Sequence, residues 1–214
     1  MRLASENKCI AVMLEIVQGE GGVCPLDKTF VHAVRQYTEE NDMLLIVDEV
    51  QTGNGRSGML YSYMNYDIQP DIVSTAKGLA GGLPLGATIL GEKVKDIFTP
   101  GTHGSTFGGN PVCAAAAVSI LSRLDDKLLN EVREKSKFIF NELEGAKGVE
   151  SVSGMGLMIG VKCDKPANEV VKTCMDKGLL ILTAKDKVRL LPALNIDLAT
   201  LKEGIKILKE AIAE

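Results

Sequence analysis

The chain lacks a positive surplus: 24 lysines and arginines face 28 aspartates and glutamates, a net charge of −4, and only two histidines could add to it. Without a basic field, nucleic acid and anionic membrane surfaces are excluded as partners. Long apolar runs are also missing. The compact run Met43 to Val47 falls far short of the roughly 20 residues that cross a bilayer. The N-terminal Met1-Arg2-Leu3-Ala4-Ser5-Glu6-Asn7-Lys8 has neither the apolar core nor the cleavage site of a secretory signal, so a cytoplasmic location is expected. The five cysteines, Cys9, Cys24, Cys113, Cys163 and Cys174, form no Cys-x-x-Cys pair. They read as small core hydrophobes rather than as a disulfide scaffold or zinc site, and no metal is expected.

What is present is an alternation of strand-like and helix-like segments over 214 residues. Cys9 to Leu14 is a short apolar run followed by the turn-rich Gln18-Gly19-Glu20-Gly21-Gly22. Asp27 reads as an N-cap for a helix bearing Phe30, Val31, Val34 and Tyr37, and Met43 to Val47 reads as a buried strand. This unit predicts an α/β fold with a mostly parallel sheet covered on both faces, whose ligands sit beyond the carboxyl ends of the strands. Asp71 to Ala76 and Leu85 to Leu90 are further strands, and Pro111 opens a helix. A charged amphipathic helix over Asp125 to Glu144 marks a change of character. The expected division is residues 1–124 as part of a large domain and 125–214 as a small α+β domain. The latter has strands near Val149–Ser153, Leu157–Cys163, Leu179–Leu182 and Val188–Leu191, a helix near Ala167–Lys177 and a closing helix through Leu201, Ile205, Leu208 and Ile212. Gly154-x-Gly156 is read as a turn, since its spacing is wrong for a dinucleotide fingerprint. His32 is read as a surface or packing residue.

Asp48 and Glu49 follow the buried strand and are expected to project into the ligand crevice. An apolar strand ending in Asp-Glu also serves magnesium in nucleotide hydrolases, but the glycine-rich loop ending in Lys-Ser or Lys-Thr is missing here. Lys77 offers a different chemistry. It follows Ser74-Thr75-Ala76 and precedes Gly78-Leu79-Ala80-Gly81-Gly82, small residues that admit a bulky ligand. A lysine amine kept neutral by desolvation or neighbouring cations bonds covalently to an aldehyde cofactor. Pyridoxal 5'-phosphate needs such a lysine and an acidic partner for its ring nitrogen. Asp48 supplies the carboxylate, Gln51 a donor to the phenolic oxygen, Val50 a surface against the ring, and Thr106 with its glycine-flanked amides a phosphate contact.

Val47-Asp48-Glu49-Val50-Gln51-Thr52-Gly53, Ser74-Thr75-Ala76-Lys77-Gly78 and His103-Gly104-Ser105-Thr106-Phe107-Gly108-Gly109-Asn110-Pro111 resemble, in order and spacing, three signature blocks of the class III aminotransferases of fold type I. Gly81 to Gly86, Gly101-Thr102-His103 with Phe107, and Arg189-Leu190-Leu191-Pro192 most resemble the acetylornithine aminotransferases of bacterial arginine biosynthesis. The resemblance implies transfer of the terminal amino group of N2-acetylornithine to 2-oxoglutarate, with Lys77 as the catalytic lysine and Asp48, Glu49, Val50, Gln51 and Thr106 around the cofactor. It implies a homodimer, with Thr106 reaching the partner's phosphate and Ser105 lying near substrate. It also makes Glu20 a gate for Arg189, which binds the carboxylate of 2-oxoglutarate, with Glu15 as an acidic member of that network. Spacing alone would read Glu20 as a solvated loop charge and Arg189 as a strand-edge cation. Ile16 departs from the family, which usually has proline there. Other class III enzymes, acting on succinylornithine, ornithine or 4-aminobutyrate, are the alternatives, as is a noncatalytic fragment. Family members are about twice this length. The half missing here would carry the main phosphate loop, the ring-stacking aromatic and the arginine for the substrate's α-carboxylate, so little transamination is expected of this chain alone.

Overall fold

A computed structural model describes residues 6–214; Met1–Ser5, which open the N-terminal segment assessed above, lie outside the described residues. Two compact units emerge. The first takes in the chain through Ile16, Leu26–Asn54 and Met59–Asp125; the second takes in Val17–Pro25, Gly55–Gly58 and Asp126–Glu214. The second unit thus starts beside the division expected from sequence, but also claims two short segments that a single linear boundary leaves in the first domain. Its hold on one of them is physical: that segment folds into a hairpin that packs against a strand of the second unit's own sheet.

In the first unit, β1 (Ala11–Leu14), β4 (Leu44–Asp48), β5 (Ile72–Thr75) and β6 (Ala87–Leu90) form one sheet in the order β1-β4-β5-β6. The β1–β4 and β4–β5 pairs are parallel, and β6 is antiparallel to β5. Helix α1 (Lys28–Glu40) packs on β4 and β1. As expected, Asp27 caps it, its carboxylate accepting the Phe30 amide at 3.1 Å. His32 is exposed on α1, its Nε2 2.7 Å from the Tyr66 carbonyl oxygen. Sheet coverage differs from expectation. Leu45 and Val47 are fully buried, but they alternate with half-buried Leu44, Ile46 and Asp48, and Met13, in register with Ile46, is 59% exposed. One face is therefore packed and the other is largely uncovered by the described residues. Helix α2 (Pro111–Leu121) begins at its proline and is capped by Asn110, whose Oδ1 accepts the Val112 and Cys113 amides; proline costs nothing at this position because its missing N–H would have no helical partner.

In the second unit, β7 (Val149–Met155), β8 (Met158–Cys163), β10 (Lys187–Leu190) and β9 (Leu182–Ala184) form an antiparallel sheet in the order β7-β8-β10-β9. Helices α3 (Asp126–Leu143), α4 (Ala167–Asp176) and α5 (Leu198–Ala213) bury against it a core that includes Val132, Ile139, Ile159, Val161, Val170, Val188, Ile205 and Leu208. The strand expected at Leu179–Leu182 lies instead at Leu182–Ala184. Gly156 turns β7 into β8 with φ of +57°. The hairpin of β2 (Val17–Gln18) and β3 (Cys24–Pro25) packs on β7. Cys113, Cys163 and Cys174 are buried as expected of core residues, whereas Cys9 is exposed and Cys24 half-buried. No helix among the described residues is long and apolar enough to cross a membrane.

Candidate active site

The side chains expected from sequence to carry the chemistry fall into two sets, one in each unit. In the first, adjacent parallel strands bring the Asp48 and Lys77 blocks to the same sheet edge. Asp48, last on β4, is in register with Ser74 of β5, and Lys77 follows three residues later. The Glu49 amide donates to the Ser74 carbonyl at 2.8 Å, extending the pairing past the strand end. Asn54 joins the blocks again, its Nδ2 donating to Thr75 Oγ1 at 3.1 Å and to the Ala76 carbonyl at 3.0 Å. Lys77 sits at φ +48°, a conformation uncommon outside glycine. It begins a short 3₁₀ turn, Lys77–Ala80, whose Leu79 and Ala80 pack on Ala117 of α2.

The lysine side chain is exposed, so the desolvation expected for it is not supplied by the described residues. Asp48 Oδ1 accepts the Val50 amide at 2.9 Å, which fixes the carboxylate. Val50 and Gln51 are half-buried on the turn that follows. Ser105 and Thr106 lie in the wholly exposed stretch Gly101–Asn110. Glu15, just after β1, is half-buried in this same unit. Ile16 is fully buried, and its carbonyl accepts the Leu26 amide at 2.9 Å.

Glu49 requires correction. It was expected in the crevice at the cofactor, but it is 0% exposed and points inward, accepting Thr52 Oγ1 at 2.5 Å, Ser62 Oγ at 2.7 Å and the Tyr63 amide at 3.0 Å. Successive residues leaving a strand face opposite ways, so Asp48 and Glu49 could not both face the crevice. The buried Glu49 charge and, more strongly, burial itself raise the Tyr63 hydroxyl above the usual phenol range.

The residues at this edge suit pyridoxal phosphate. Asp48 offers a carboxylate oxygen, Lys77 an accessible amine, and Ser74 Oγ, in the same cross-strand row as Asp48, is buried with no hydrogen-bond partner. Such an orphan is rare in folded proteins and marks a place for a polar ligand atom.

In the second unit, Glu20 stands at the tip of the β2–β3 hairpin and Arg189 on β10. Arg189 Nη1 donates to Glu20 Oε1 at 2.6 Å. The arginine side chain is 10% exposed and the glutamate 74% exposed. Arg189 Nε is buried with no partner. The guanidinium is thus fixed in place with an unused donor, while its partner carboxylate is open to water.

Sequence reasoning missed the orphaned Ser74 hydroxyl, and it missed Asn54, Arg56, Ser153 and Lys187, which act through contacts distant in the chain. Arg56 Nη1 donates to the carbonyls of Leu157 at 3.1 Å and Pro192 at 2.5 Å, clamping the β7–β8 turn to the segment after β10. Burial pushes its pKa down to about 10. A glycine-flanked arginine, as in Gly55-Arg56-Ser57-Gly58, is the one local signal that could have drawn notice.

The sequence profile described as aminotransferase class-III matches residues 1–212. Acetylornithine aminotransferase of Haemophilus ducreyi is 47% identical over 215 residues, covering 100% of this chain and 54% of that protein. The Bacillus subtilis enzyme of the same name is 41% identical, over 99% of this chain and 56% of the relative. Among solved structures, N-acetylornithine aminotransferase from Stenotrophomonas maltophilia K279a superposes with a TM-score of 0.89 at 36% identity, covering 99% of this chain and 59% of that one. Ornithine aminotransferase from Toxoplasma gondii ME49 gives a TM-score of 0.91 at 29% identity, covering 99% and 53%. The chain spans about half the length of the curated relatives it matches. Its three signature blocks, its α/β architecture of fold type I and this match along nearly its whole length agree: the chain belongs to the class-III aminotransferase family, whose cofactor is pyridoxal 5'-phosphate.

Proposed function

We propose that this sequence is part of a transaminase that moves the terminal amino group of N2-acetylornithine to 2-oxoglutarate in the cytoplasm, as a step of arginine biosynthesis. The observation that carries the reading is the meeting of Asp48 and the Lys77 block on adjacent strand ends, beside the orphaned Ser74 hydroxyl. Bound there, pyridoxal phosphate supplies an electron sink for the carbanion left when the substrate carbon loses its proton. Asp48 would hold a proton at the ring nitrogen, Gln51 would donate to the phenolic oxygen and Val50 would bear on the ring face. Lys77 would hold the cofactor at rest and, once displaced by the substrate amine, its free amine would carry the proton between the reacting carbon and C4′. Ser105 and Thr106, fully exposed here, serve the partner's site in a homodimer, Thr106 at the phosphate and Ser105 near substrate.

Arg189 selects between the two substrates. Paired with Glu20 it is withheld while the donor's terminal amine, on a carbon that bears no carboxylate, enters, and released from Glu20 it takes the acceptor's carboxylate in a two-pronged grip. Its buried, unpartnered Nε supports that second role. Glu15 belongs to the same network. A transaminase acting on ornithine is the second reading, favoured by the match to the Toxoplasma gondii ornithine aminotransferase. The 214-residue chain alone turns over little substrate.

The test is to add pyridoxal phosphate to the purified folded chain, reduce with borohydride and map the adduct. A label on Lys77 is expected, and an unmodified Lys77 sinks the retained cofactor chemistry. For the substrate, kcat/KM for acetylornithine is compared with ornithine, succinylornithine and 4-aminobutyrate in the full-length enzyme. A wide margin for any of the latter three overturns the acetylornithine assignment.

A further inference from the structure

Ser153, Gly160 and Arg189 form one row across β7, β8 and β10: Ser153 is in register with Gly160, and Gly160 with Arg189. Residues in register share a face of the sheet. The middle member has no side chain, and Val23 occupies the space. A Cβ built at Gly160 would lie 2.9 Å from Val23 Cβ and 3.1 Å from Lys187 Cδ. Val23, the last residue of the hairpin loop that carries Glu20, is fully buried with φ of +51°. For a β-branched residue that conformation is strained and persists only where surrounding contacts enforce it.

Those contacts are explicit. Ser153 Oγ donates to the Val23 carbonyl at 2.8 Å, and Lys187 Nζ donates to Ser153 Oγ at 2.7 Å. A hydroxyl has one proton to give and lone pairs to receive, so both bonds can exist together. Lys187 lies two residues before Arg189 on β10, so one strand supplies both the arginine that Glu20 holds and the ammonium that anchors Glu20's loop.

We propose that Ser153 and Lys187 are positioning residues for the Glu20–Arg189 pair: through Val23 they pin the hairpin onto the Gly160 gap, and so set how readily Glu20 surrenders Arg189 to an incoming dicarboxylate. The inference rests on the gate reading above. Loosening the anchor frees Arg189 more often. That favours the dicarboxylate acceptor and disfavours the amine donor, in opposite directions, whereas a merely structural defect would depress both.

Two measurements test it. In side-chain ¹⁵N spectra of the protein, Ser153→Ala and, independently, Lys187→Met are expected to speed solvent exchange at Arg189 Nε by about three- to tenfold, the scale of one lost net hydrogen bond. In the cofactor-loaded full-length enzyme, the same variants lower KM for 2-oxoglutarate and raise KM for the amine by about the same factor, with kcat changed less than about twofold. Unchanged exchange at Arg189, or an equal loss on both substrates, overturns the proposal. Glu20→Gln separates the two ideas. If it shifts the two KM values apart and Ser153→Ala does not, the anchor is wrong and the gate stands; if Glu20→Gln leaves both unchanged, the gate reading itself fails.

Discussion

The two chemically equipped regions differ in how finished they are. At the Glu20–Arg189 locus the arginine is nine-tenths buried, ion-paired, and backed by a sheet whose other face lies on a three-helix core. At the Asp48–Lys77 edge the backbone is just as well ordered by hydrogen bonds, yet the lysine is exposed, a serine hydroxyl lacks a partner, and Met13 on the same sheet face is open to solvent. The Glu20–Arg189 pair is therefore built from this chain's own contacts. The cofactor edge has its reactive groups in place without the surroundings that would desolvate them.

The sharpest way to break that comparison is a pair of truncations. Leu208→Ala, at a fully buried core position of the second unit, should cost about 3 kcal/mol or more of unfolding free energy in urea. Thiol chemistry comes next. Burial pushes the Cys163 and Cys174 thiols up to about 11, so near pH 8 each has about a hundredfold less thiolate than an ordinary cysteine. Exposed Cys9 should react with a disulfide reagent while those two do not until the protein unfolds. The unfolded thiols ionise first, so this stabilisation is complete below about pH 9 and lost as pH rises toward 11, which a pH series of urea melts would show.

Glu49→Gln comes third. It keeps the shape but exchanges an acceptor for a donor among Thr52, Ser62 and the Tyr63 amide, at a cost of about 1 to 2 kcal/mol. Because Glu49 faces inward, the same variant should leave borohydride trapping at Lys77 intact, and loss of trapping in a folded protein would return Glu49 to the cofactor. The smallest effect belongs to Met13→Ala, expected within about 0.5 kcal/mol. A cost near that of Leu208→Ala would show that the open face is covered after all.

Much of this was legible in the chain. Asp27 and Pro111 announced their helices through local capping chemistry, and the apolar runs gave the strands of the first sheet. The β2–β3 hairpin was invisible because two-residue strands have no periodicity to detect. The face assignments of Asp48 and Glu49 were open to simple alternation but obscured by a continuous apolar run, which looks the same whether one face is covered or both. Asp48 and Lys77 were named from their places just past strand ends, and Glu20 and Arg189 only through resemblance. Ser153, Lys187 and Arg56 were not, since a serine, a lysine or an arginine acquires its role only from a carbonyl far away in sequence, as Val23 lies 130 positions from Ser153.

The way the two units share the chain has a consequence for any attempt to take them apart. The backbone passes between them after Ile16, Pro25, Asn54, Gly58 and Asp125. A single protease cut after Asp125 would leave the gate glutamate and the Arg56 clamp on one fragment and the strands they serve on the other. The small unit is thus not a module that recombination could move as one block: to transplant the Glu20–Arg189 pair in its setting, a designer must carry three separate stretches of sequence together.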